Sequence, residues 1–206
     1  MNRGSSHRWL ARQRRDPYVQ QARRDGYRSR AAYKLLELDA KDRLLRPGAR
    51  VVDLGAAPGG WSQVAAARVR PGGLVVALDL LPMAPLPGVA FVQGDFREEE
   101  TLARLLELVP ARALDLVLSD LAPNVSGLKA VDGPRMSHLA ELTFELACQT
   151  LKPGGCLLLK TFHGEGFDAL VKALRTRFED TRQRKPPASR AESREVYLVA
   201  KNFRVL

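Results

Sequence analysis

Several residues that can carry charge stand directly after apolar runs in this sequence. They are Asp53, Asp79, Asp95, Asp120 and Lys160. In open α/β proteins, ligands bind at the carboxyl ends of the strands, so such residues meet at one edge of the sheet. A single acid after a strand is more often a turn former or a helix cap. Four acids and one lysine at the same edge instead indicate a site that binds or transforms a ligand.

The first of these acids opens the glycine-rich stretch DLGAAPGGWS, which follows a short apolar strand and precedes a helix. Gly55, Gly60 and Ser62 have the spacing of a P-loop, but Trp61 stands where the phosphate-binding lysine is required. The dinucleotide pattern G-x-G-x-x-G fails as well, because Ala57 occupies the position at which the backbone must approach a pyrophosphate. The loop is therefore predicted to hold a ligand that is not a phosphate.

A nucleoside in this loop requires an acid about 20 residues further on to bind its ribose hydroxyls. Asp79 closes the next strand, 24 residues after Gly55, and Asp95 closes the third strand, where it can accept a hydrogen bond from an adenine amine. Carboxylates around a ligand without phosphates suit a cationic sulfonium nucleoside, and S-adenosylmethionine is such a molecule. We expect this cofactor to lie against Asp53, Gly55 and Gly60.

The elements that must position these residues alternate along the chain. Apolar residues at helical spacing predict a helix that begins after Ser29, its N-cap, and ends before the RPG at 46–48. Strands and helices then alternate, which is typical of a parallel sheet covered on both faces. Residues 182–194 are predicted to be a polar loop. The predicted strands are 51–55, 74–80, 89–95, 114–120, 155–162 and 194–203, and the predicted helices are 60–69, 98–108, 136–151 and 165–178.

The chain has 206 residues, a length that suits one domain with a substantial core. Its net charge is +10, and this charge is unevenly distributed along the chain. Residues 1–30 hold nine arginines and two acids, so this end alone contributes +7. Basic arms bind nucleic acids because they release counterions from phosphates, although a solvated, mobile terminus has the same composition. We predict a flexible RNA-binding arm over residues 1–26 and a single domain over residues 27–206.

The composition argues against several other classes of protein. No stretch reaches the roughly 18 to 20 consecutive apolar residues of a membrane span, and the start lacks the apolar core of a signal peptide. We therefore expect a cytoplasmic protein that binds no membrane. Cys148 and Cys156 form no C-x-x-C pair and the three histidines are scattered, so the sequence predicts neither a metal site nor a disulfide.

Four motifs in order resemble those of the FtsJ (RrmJ) family of ribosomal RNA 2′-O-methyltransferases. They are DLGAAPGGWSQ, SDLAPN, LLLKTF and SREVYLVAKNF, within a resemblance that runs from Tyr27 to Phe203. The resemblance implies a Rossmann-like class I methyltransferase that uses S-adenosylmethionine. Its mostly parallel seven-stranded sheet would have an antiparallel last strand and helices on both faces. The cofactor contacts implied by the family fall on Gly59, Trp61, Asp79, Asp95 and Asp120.

The resemblance also carries over a catalytic set of Lys34, Asp120, Lys160 and Glu195. Lys160 is expected to deprotonate the ribose hydroxyl, and Lys34 to orient the ribose or stabilise the developing alkoxide. Asp120 is expected to fix the ammonium group and approach the methyl donor, and Glu195 to position either lysine. Since the ordinary pKa of lysine is about 10.4, a lysine base near neutral pH requires a pKa lowered by about 3 units.

Members of this set also have purely structural interpretations. A lysine on an amphipathic helix, such as Lys34, is usually a solvated charge, and Glu195 can be an exposed residue of an edge strand. Lys160 is different, because structure alone has little use for an amine that closes a buried strand. His163 and Glu165 are rival bases, which we instead expect to shape the turn after that strand.

An active site at a sheet edge requires a nucleotide whose 2′-hydroxyl is exposed, which favours an RNA loop over a stem. The resemblance implies a uridine in the A-loop of 23S rRNA, methylated in an assembled or nearly assembled 50S subunit. We expect a monomer, because the basic surface must stay open to so large a particle. Seven basic residues are predicted to form a rim that follows the RNA phosphates: Arg28, Arg30, Lys129, Arg135, Arg182, Arg184 and Lys185.

Other functions fit parts of the pattern. A 2′-O-methyltransferase that acts on tRNA or on an mRNA cap would share the catalytic set. A non-catalytic RNA-binding protein on the same fold is disfavoured, because no member of the set is missing. SDLAPN also resembles the [DNS]-P-P-[YFW] loop of N-methyltransferases, but Ala122 and Asn124 break that pattern. A dehydrogenase is least favoured, because the dinucleotide fingerprint is absent.

Overall fold

The computed structural model describes residues 16–123 and 126–205. Its strands are β1 Arg50–Leu54, β2 Leu74–Asp79, β3 Val89–Gln93, β4 Leu114–Ser119, β5 Leu151–Phe162, β6 Phe178–Arg184 and β7 Glu195–Phe203. They form one seven-stranded sheet in the order β3-β2-β1-β4-β5-β7-β6. The first five strands are parallel, and β7 runs antiparallel to both β5 and β6. The predicted mostly parallel sheet with an antiparallel last strand is confirmed.

The helices of the described part cover both faces of the sheet, which explains why the central strands are almost wholly apolar. These helices are α1 Pro17–Arg24, α2 Ala31–Asp42, α3 Gly60–Arg68, α4 Glu99–Leu108, α5 Lys129–Thr150 and α6 Phe167–Arg177. One core lies between the sheet and α2 and α3, and the other lies between the sheet and α4, α5 and α6. None of the described helices is long and apolar enough to cross a membrane.

The sequence pattern did not reveal β6. This edge strand, FEDTRQR, pairs with β7 alone, and Phe178 is its one fully buried side chain. The predicted helix 165–178 ends instead at Arg177, and the predicted polar loop begins after Arg184 rather than at residue 182. An edge strand that faces solvent carries mostly polar residues, so its alternation is too weak to be recognised.

Helix starts also differ from the prediction, most clearly those of α5 and α2. Helix α5 begins at Lys129 rather than at residue 136, and it contains Pro134, whose missing N–H removes one backbone hydrogen bond. The connection between the predicted strand 114–120 and the predicted helix 136–151 therefore ends at Leu128. Ser29 is not the N-cap of α2, since Arg30 occupies that position and the buried Ser29 hydroxyl has no hydrogen-bond partner in the described part.

The end of the predicted basic arm is folded onto the domain. Asp16 caps α1 by accepting the N–H of Tyr18 at 3.0 Å, and the Tyr18 hydroxyl donates to Glu37 at 3.2 Å. Ala22 is buried with Tyr33 in a small cluster against α2. These contacts pack the segment that begins at Asp16 against the rest of the protein, and the boundary at residue 26 stays a prediction. Residues 1–15 lie outside the described part.

Candidate active site

The carboxyl ends of the central strands meet at one edge of the sheet. Leu54 lies opposite Ser119 in register and Ser119 lies opposite Leu159, so Asp120, which directly follows β4, lies beside Lys160 of β5. The backbone N–H of Asp120 also donates to the Leu54 carbonyl at 3.0 Å, which holds the end of β4 against the end of β1. The sheet thereby positions the aspartate and the lysine as the sequence predicted.

The four residues of the predicted catalytic set form two ion pairs. Lys160 Nζ lies 2.9 Å from Asp120 Oδ1 and donates to the Asp120 backbone carbonyl at 2.6 Å. Lys34 Nζ, from α2, lies 2.6 Å from Oε1 of Glu195, the first residue of β7. Only 9% of Lys34 and 7% of Lys160 is exposed, so neither lysine is a solvated surface charge.

Tyr197 joins these two ion pairs and was not singled out from the sequence. Its hydroxyl donates to Asp120 Oδ1 at 2.9 Å and accepts from Lys34 Nζ at 3.2 Å. It lies opposite Lys160 in register and two residues after Glu195, so both β7 residues face the same side of the sheet. That alternation was the available signal. We call the continuous run Glu195, Lys34, Tyr197, Asp120 and Lys160 the polar chain.

A glycine-rich loop, residues 55–59, leads from β1 into α3 beside the polar chain. Gly55 and Gly59 adopt φ values of +75° and +110°, in the left-handed region that favours glycine. A Cβ on Gly55 would lie 2.9 Å from the backbone N of Leu121, and a Cβ on Gly59 would lie 2.9 Å from Leu86 Cδ1. A side chain at Gly55 would therefore meet backbone atoms, whereas at Gly59 the positive φ is the main requirement for glycine.

Comparison with known proteins agrees with this geometry. Residues 27–203 match the model of the FtsJ-like methyltransferase family. The chain belongs to the FtsJ-like methyltransferase family. Proteins named Ribosomal RNA large subunit methyltransferase E are similar to it: that of Marinobacter nauticus is 55% identical, with 98% of this chain and 97% of the relative covered. That of Chromohalobacter salexigens is 58% identical, with 97% and 95% covered.

A solved structure supports the same assignment. The crystal structure of a ribosomal RNA methyltransferase from Plasmodium falciparum superposes with a TM-score of 0.78 at 33% sequence identity. The match covers 86% of this chain and 98% of the other. The seven-stranded sheet and the polar chain therefore lie in an FtsJ-like methyltransferase fold.

Charges within the polar chain of this FtsJ-like methyltransferase support one another. Burial alone would raise the pKa of Asp120, but the charges of Lys160 and Lys34 and the hydrogen bonds from Lys160 and Tyr197 hold it below its ordinary value. Burial, together with the charges of Asp120 and Glu195, raises the pKa of Tyr197 well above its ordinary value. The aspartate is therefore ionised near neutral pH while the phenol keeps its proton and remains a donor.

The glycine-rich loop fits a nucleoside that carries no phosphate. Asp79, at the end of β2, accepts the backbone N–H groups of Ala57 and Leu81, both at 2.8 Å. Each carboxylate oxygen can accept further hydrogen bonds, so ribose hydroxyls can bind without the loss of either contact. The chemistry of this donor and acceptor set suits the nucleoside portion of S-adenosylmethionine.

Asp53 supports the loop from beneath. It is 0% exposed, and its Oδ2 accepts the hydroxyl of Ser62 at 2.6 Å, while Oδ1 has no partner in the described part. Burial raises its pKa to about 7, and the charges of Asp120 and Asp79 add to this effect while Ser62 opposes it. The position favours a role in supporting the loop over the predicted direct contact with the cofactor.

Trp61 and Gly60 pack against residues 29–32, at the start of α2. The indole Nε1–H of Trp61 donates to the carbonyl of Ala31 at 2.8 Å, and its ring lies 5.9 Å from that of Tyr197. A Cβ on Gly60 would lie 2.3 Å from Ser29 Oγ, so this glycine allows close packing. Only the backbone of these two residues is left to approach a cofactor.

Asp95 follows β3 at the same sheet edge, but an internal partner engages it. Arg97 Nη2 lies 2.5 Å from Asp95 Oδ2, and the Arg97 backbone N–H donates to Oδ1 at 2.9 Å. Hydrogen bonds from the Arg97 side chain hold the pKa of Asp95 below its ordinary value. An adenine amine would have to share this carboxylate with Arg97.

Most of the predicted basic rim makes contacts within the protein. Arg30 forms an ion pair with Asp16 at 2.5 Å, and Arg184 binds both oxygens of the buried Asp42. Arg135 is exposed, and the side chain of Lys129 lies outside the described part. The rim residues with internal hydrogen bonds are Arg28, Arg30, Arg182, Arg184 and Lys185.

Proposed function

We propose that this protein transfers a methyl group from S-adenosylmethionine to a ribose 2′-hydroxyl in the ribosomal RNA of the large subunit. The observation that carries the proposal is the buried Lys160, whose Nζ contacts two oxygens of Asp120 at the sheet edge where ligands bind. The names of the relatives that match nearly the whole chain support the substrate class.

The glycine-rich loop and Asp79 would hold the nucleoside, with Asp79 accepting the ribose hydroxyls and Asp95 the adenine amine. The cofactor, when bound, supplies an electrophilic methyl group on its sulfonium. Asp120 lies where the loop meets the polar chain, because its backbone N–H donates to Leu54 immediately before Gly55. It therefore links the cofactor site to the catalytic lysine.

The geometry around Lys160 suits a general base. In the ion pair with Asp120, two N–H groups of the Lys160 ammonium are directed at oxygens of Asp120, at 2.6 Å and 2.9 Å, and the third N–H direction is left for the substrate. Loss of this third proton before methyl transfer would leave a lone pair in a fixed direction, and that lone pair would accept the proton of the ribose hydroxyl. A base positioned in this way typically contributes about 10²- to 10⁴-fold to the rate.

Lys34 is suited to bind the oxygen that loses this proton. Glu195 at 2.6 Å and the Tyr197 hydroxyl at 3.2 Å hold its ammonium group in place. A fixed cation stabilises a developing alkoxide with little reorganisation, whereas a mobile side chain must first be ordered. Glu195 and Tyr197 therefore act as positioning residues.

The proposed substrate is a uridine of the 23S rRNA A-loop in the 50S subunit, as the family resemblance implies. Residues 1–15 contain five arginines and no acid, and we propose that they bind rRNA phosphates and increase affinity without reading sequence. The enzyme would act as a cytoplasmic monomer, which leaves its basic surface accessible to the particle.

The experiment that tests the proposal supplies methyl-labelled S-adenosylmethionine with unmodified 50S subunits, free 23S rRNA or tRNA, and identifies the labelled nucleoside after digestion. Label in a 2′-O-methyl nucleoside from 50S subunits is expected. Label in tRNA alone would replace the proposed substrate with tRNA. Absence of label from every RNA would favour a non-catalytic RNA-binding protein.

A further inference from the structure

Arg28 lies in the segment that joins α1 to α2, residues 25–30, which we call the connector. The sequence predicted that this arginine contacts RNA phosphates. Its guanidinium instead donates to three backbone carbonyls: Nη1 to Pro58 at 3.2 Å and to Ala84 at 2.6 Å, and Nη2 to Pro85 at 2.8 Å. Three of its five N–H donors are therefore used inside the protein.

These carbonyls belong to two segments that flank the proposed cofactor site. Pro58 lies in the glycine-rich loop, whereas Ala84 and Pro85 lie in residues 80–88, which lead from β2 to β3. Arg28 also lies against Gly59, where an added Cβ would be 3.1 Å from Nη1. The guanidinium thus bridges the two segments at the position where the family resemblance places a cofactor contact.

Asp79 bridges the same two segments through the opposite kind of backbone group. Its carboxylate accepts the N–H of Ala57 from the glycine-rich loop and the N–H of Leu81 from residues 80–88. An anion therefore binds the N–H groups of both segments, and a cation binds their carbonyls. The separation of the segments is fixed at two points, and a ligand that binds Asp79 meets a site already held by Arg28.

Gln63 fixes the connector itself. Its Oε1 accepts the backbone N–H of Arg28 at 2.7 Å, and its Nε2 donates to the Gly26 carbonyl at 3.0 Å. Gln63 belongs to α3, which begins directly after the glycine-rich loop. The connector, α3 and the two segments beside Asp79 are therefore joined by side-chain hydrogen bonds in one region of the molecule.

We propose that Arg28 is a positioning residue for the methyl donor, and that it sets cofactor affinity by holding the glycine-rich loop and residues 80–88 at the separation required for binding. The inference rests on the proposed function, since it assumes that S-adenosylmethionine binds between these segments. Lysine cannot replace this arginine, because a single ammonium on a flexible stem does not span three carbonyls as a planar guanidinium does.

The decisive variant is Arg28→Lys, which keeps the positive charge and removes the planar guanidinium that contacts the three carbonyls. Affinity is measured by calorimetry with S-adenosylhomocysteine, which binds without turnover, at a temperature where the protein is fully folded. We expect the Kd to rise about tenfold, as is typical when hydrogen bonds from a charged group are lost. Affinity for free 23S rRNA without cofactor should change less than about twofold, because the contribution of phosphate contacts to RNA affinity depends on charge, which this variant keeps.

The matched control is Arg23→Lys, at an exposed position of α1. It should change neither the Kd for S-adenosylhomocysteine nor the affinity for RNA.

A second variant, Gln63→Ala, carries no change in charge and leaves Arg28 in place. It should raise the Kd for S-adenosylhomocysteine about threefold, since two hydrogen bonds that hold the connector are lost, and it should not change RNA affinity. If Arg28→Lys does not fold, this variant alone decides the question, and wild-type cofactor affinity in it would overturn the proposal.

The possible failures are distinguishable. Wild-type cofactor affinity in Arg28→Lys, with or without a lowered unfolding midpoint, would overturn the inference and leave the proposed function intact. Loss of RNA affinity in Arg28→Lys with unchanged cofactor affinity would restore the predicted phosphate contact and equally overturn it. If the wild-type protein fails to bind S-adenosylhomocysteine, the proposed function itself fails.

Discussion

The two lysine pairs of the polar chain are built on different parts of the fold. Lys160 lies in β5 and Asp120 directly follows the neighbouring β4 in the middle of the sheet, so strand register fixes their distance. Lys34 comes from α2 and Glu195 from the start of β7, so their distance depends on how a helix packs against the sheet. Under the proposed function, strand register would position the group that removes the proton, whereas the packing of a helix against the sheet would position the group that stabilises the oxygen.

The largest loss of methyl-transfer rate should follow a change in the pair formed by Lys160 and Asp120. Lys160→Met removes the amine and keeps most of the side chain volume, so methyl transfer to 50S subunits should fall about 10²- to 10⁴-fold under single-turnover conditions. The Kd for S-adenosylhomocysteine should stay within a few-fold of wild type, because the cofactor residues are untouched. A variant that retained most of the wild-type rate would show that Lys160 is not the base.

A smaller loss of methyl-transfer rate is expected from changes in the pair formed by Lys34 and Glu195. Lys34→Met should reduce the single-turnover rate about 10²-fold, which is typical for loss of one group that stabilises an oxyanion. Glu195→Gln should reduce it less, since Lys34 keeps its contact with the Tyr197 hydroxyl. If Lys34→Met and Lys160→Met had equal rates, the two lysines would not differ in their contribution to the reaction, which would contradict the proposed roles.

Tyr197→Phe tests the contact that joins the pairs and changes almost no volume. The variant leaves Asp120 without one donor and Lys34 without one acceptor, so the free energy of unfolding should fall by about 1 to 3 kcal/mol in urea titrations. Transfer should slow about tenfold or less. In a double-mutant cycle with Glu195→Gln, strictly additive effects would show that the hydroxyl does not couple the two pairs.

Asp53→Asn should have the smallest effect on transfer and a distinct effect on stability. Because the pKa of Asp53 is about 7 in the folded protein, above the ordinary carboxyl value, the folded state binds more protons between about pH 4 and pH 7. The stability contribution is full at low pH and is lost as the pH rises through 7. The cofactor-free variant should therefore be the more stable protein at pH 8, by up to about 4 kcal/mol, and should match wild type near pH 4. Urea unfolding at both pH values measures the difference in the free energy of unfolding between the variant and the wild type. An equal difference at both pH values would contradict the raised pKa of Asp53.

Many residues at the carboxyl edge of the sheet could be predicted, because the patterns that identify them lie within a few consecutive residues. An apolar strand that ends in Asp120 or Lys160 can be read from a few consecutive residues, and the parallel topology then brings such residues together. The strands with two buried faces were recognised for the same reason. Lys34 and Glu195 required a resemblance to the family, because nothing local distinguishes either from a surface charge.

The features that the sequence did not reveal depend on partners far away in the chain. Tyr197 stands in an apolar strand, and its role becomes visible only when α2 brings Lys34 to its hydroxyl. Arg28 looked like any other basic residue near the arm, but its three carbonyl partners lie 30 to 57 residues away. Strand β6 was missed because the solvent-facing edge of a sheet carries no apolar pattern.

The charges of the polar chain alternate in sign from Glu195 to Lys160, and a phenol that keeps its proton stands among them. Two anions and two cations sum to zero, so the polar chain has no net charge although the protein carries +10. Dissolved ions screen exposed charges beyond about 8 to 10 Å, but they act much less on buried pairs. Ionic strength should therefore weaken the capture of RNA while leaving the rate of transfer in the bound complex almost unchanged.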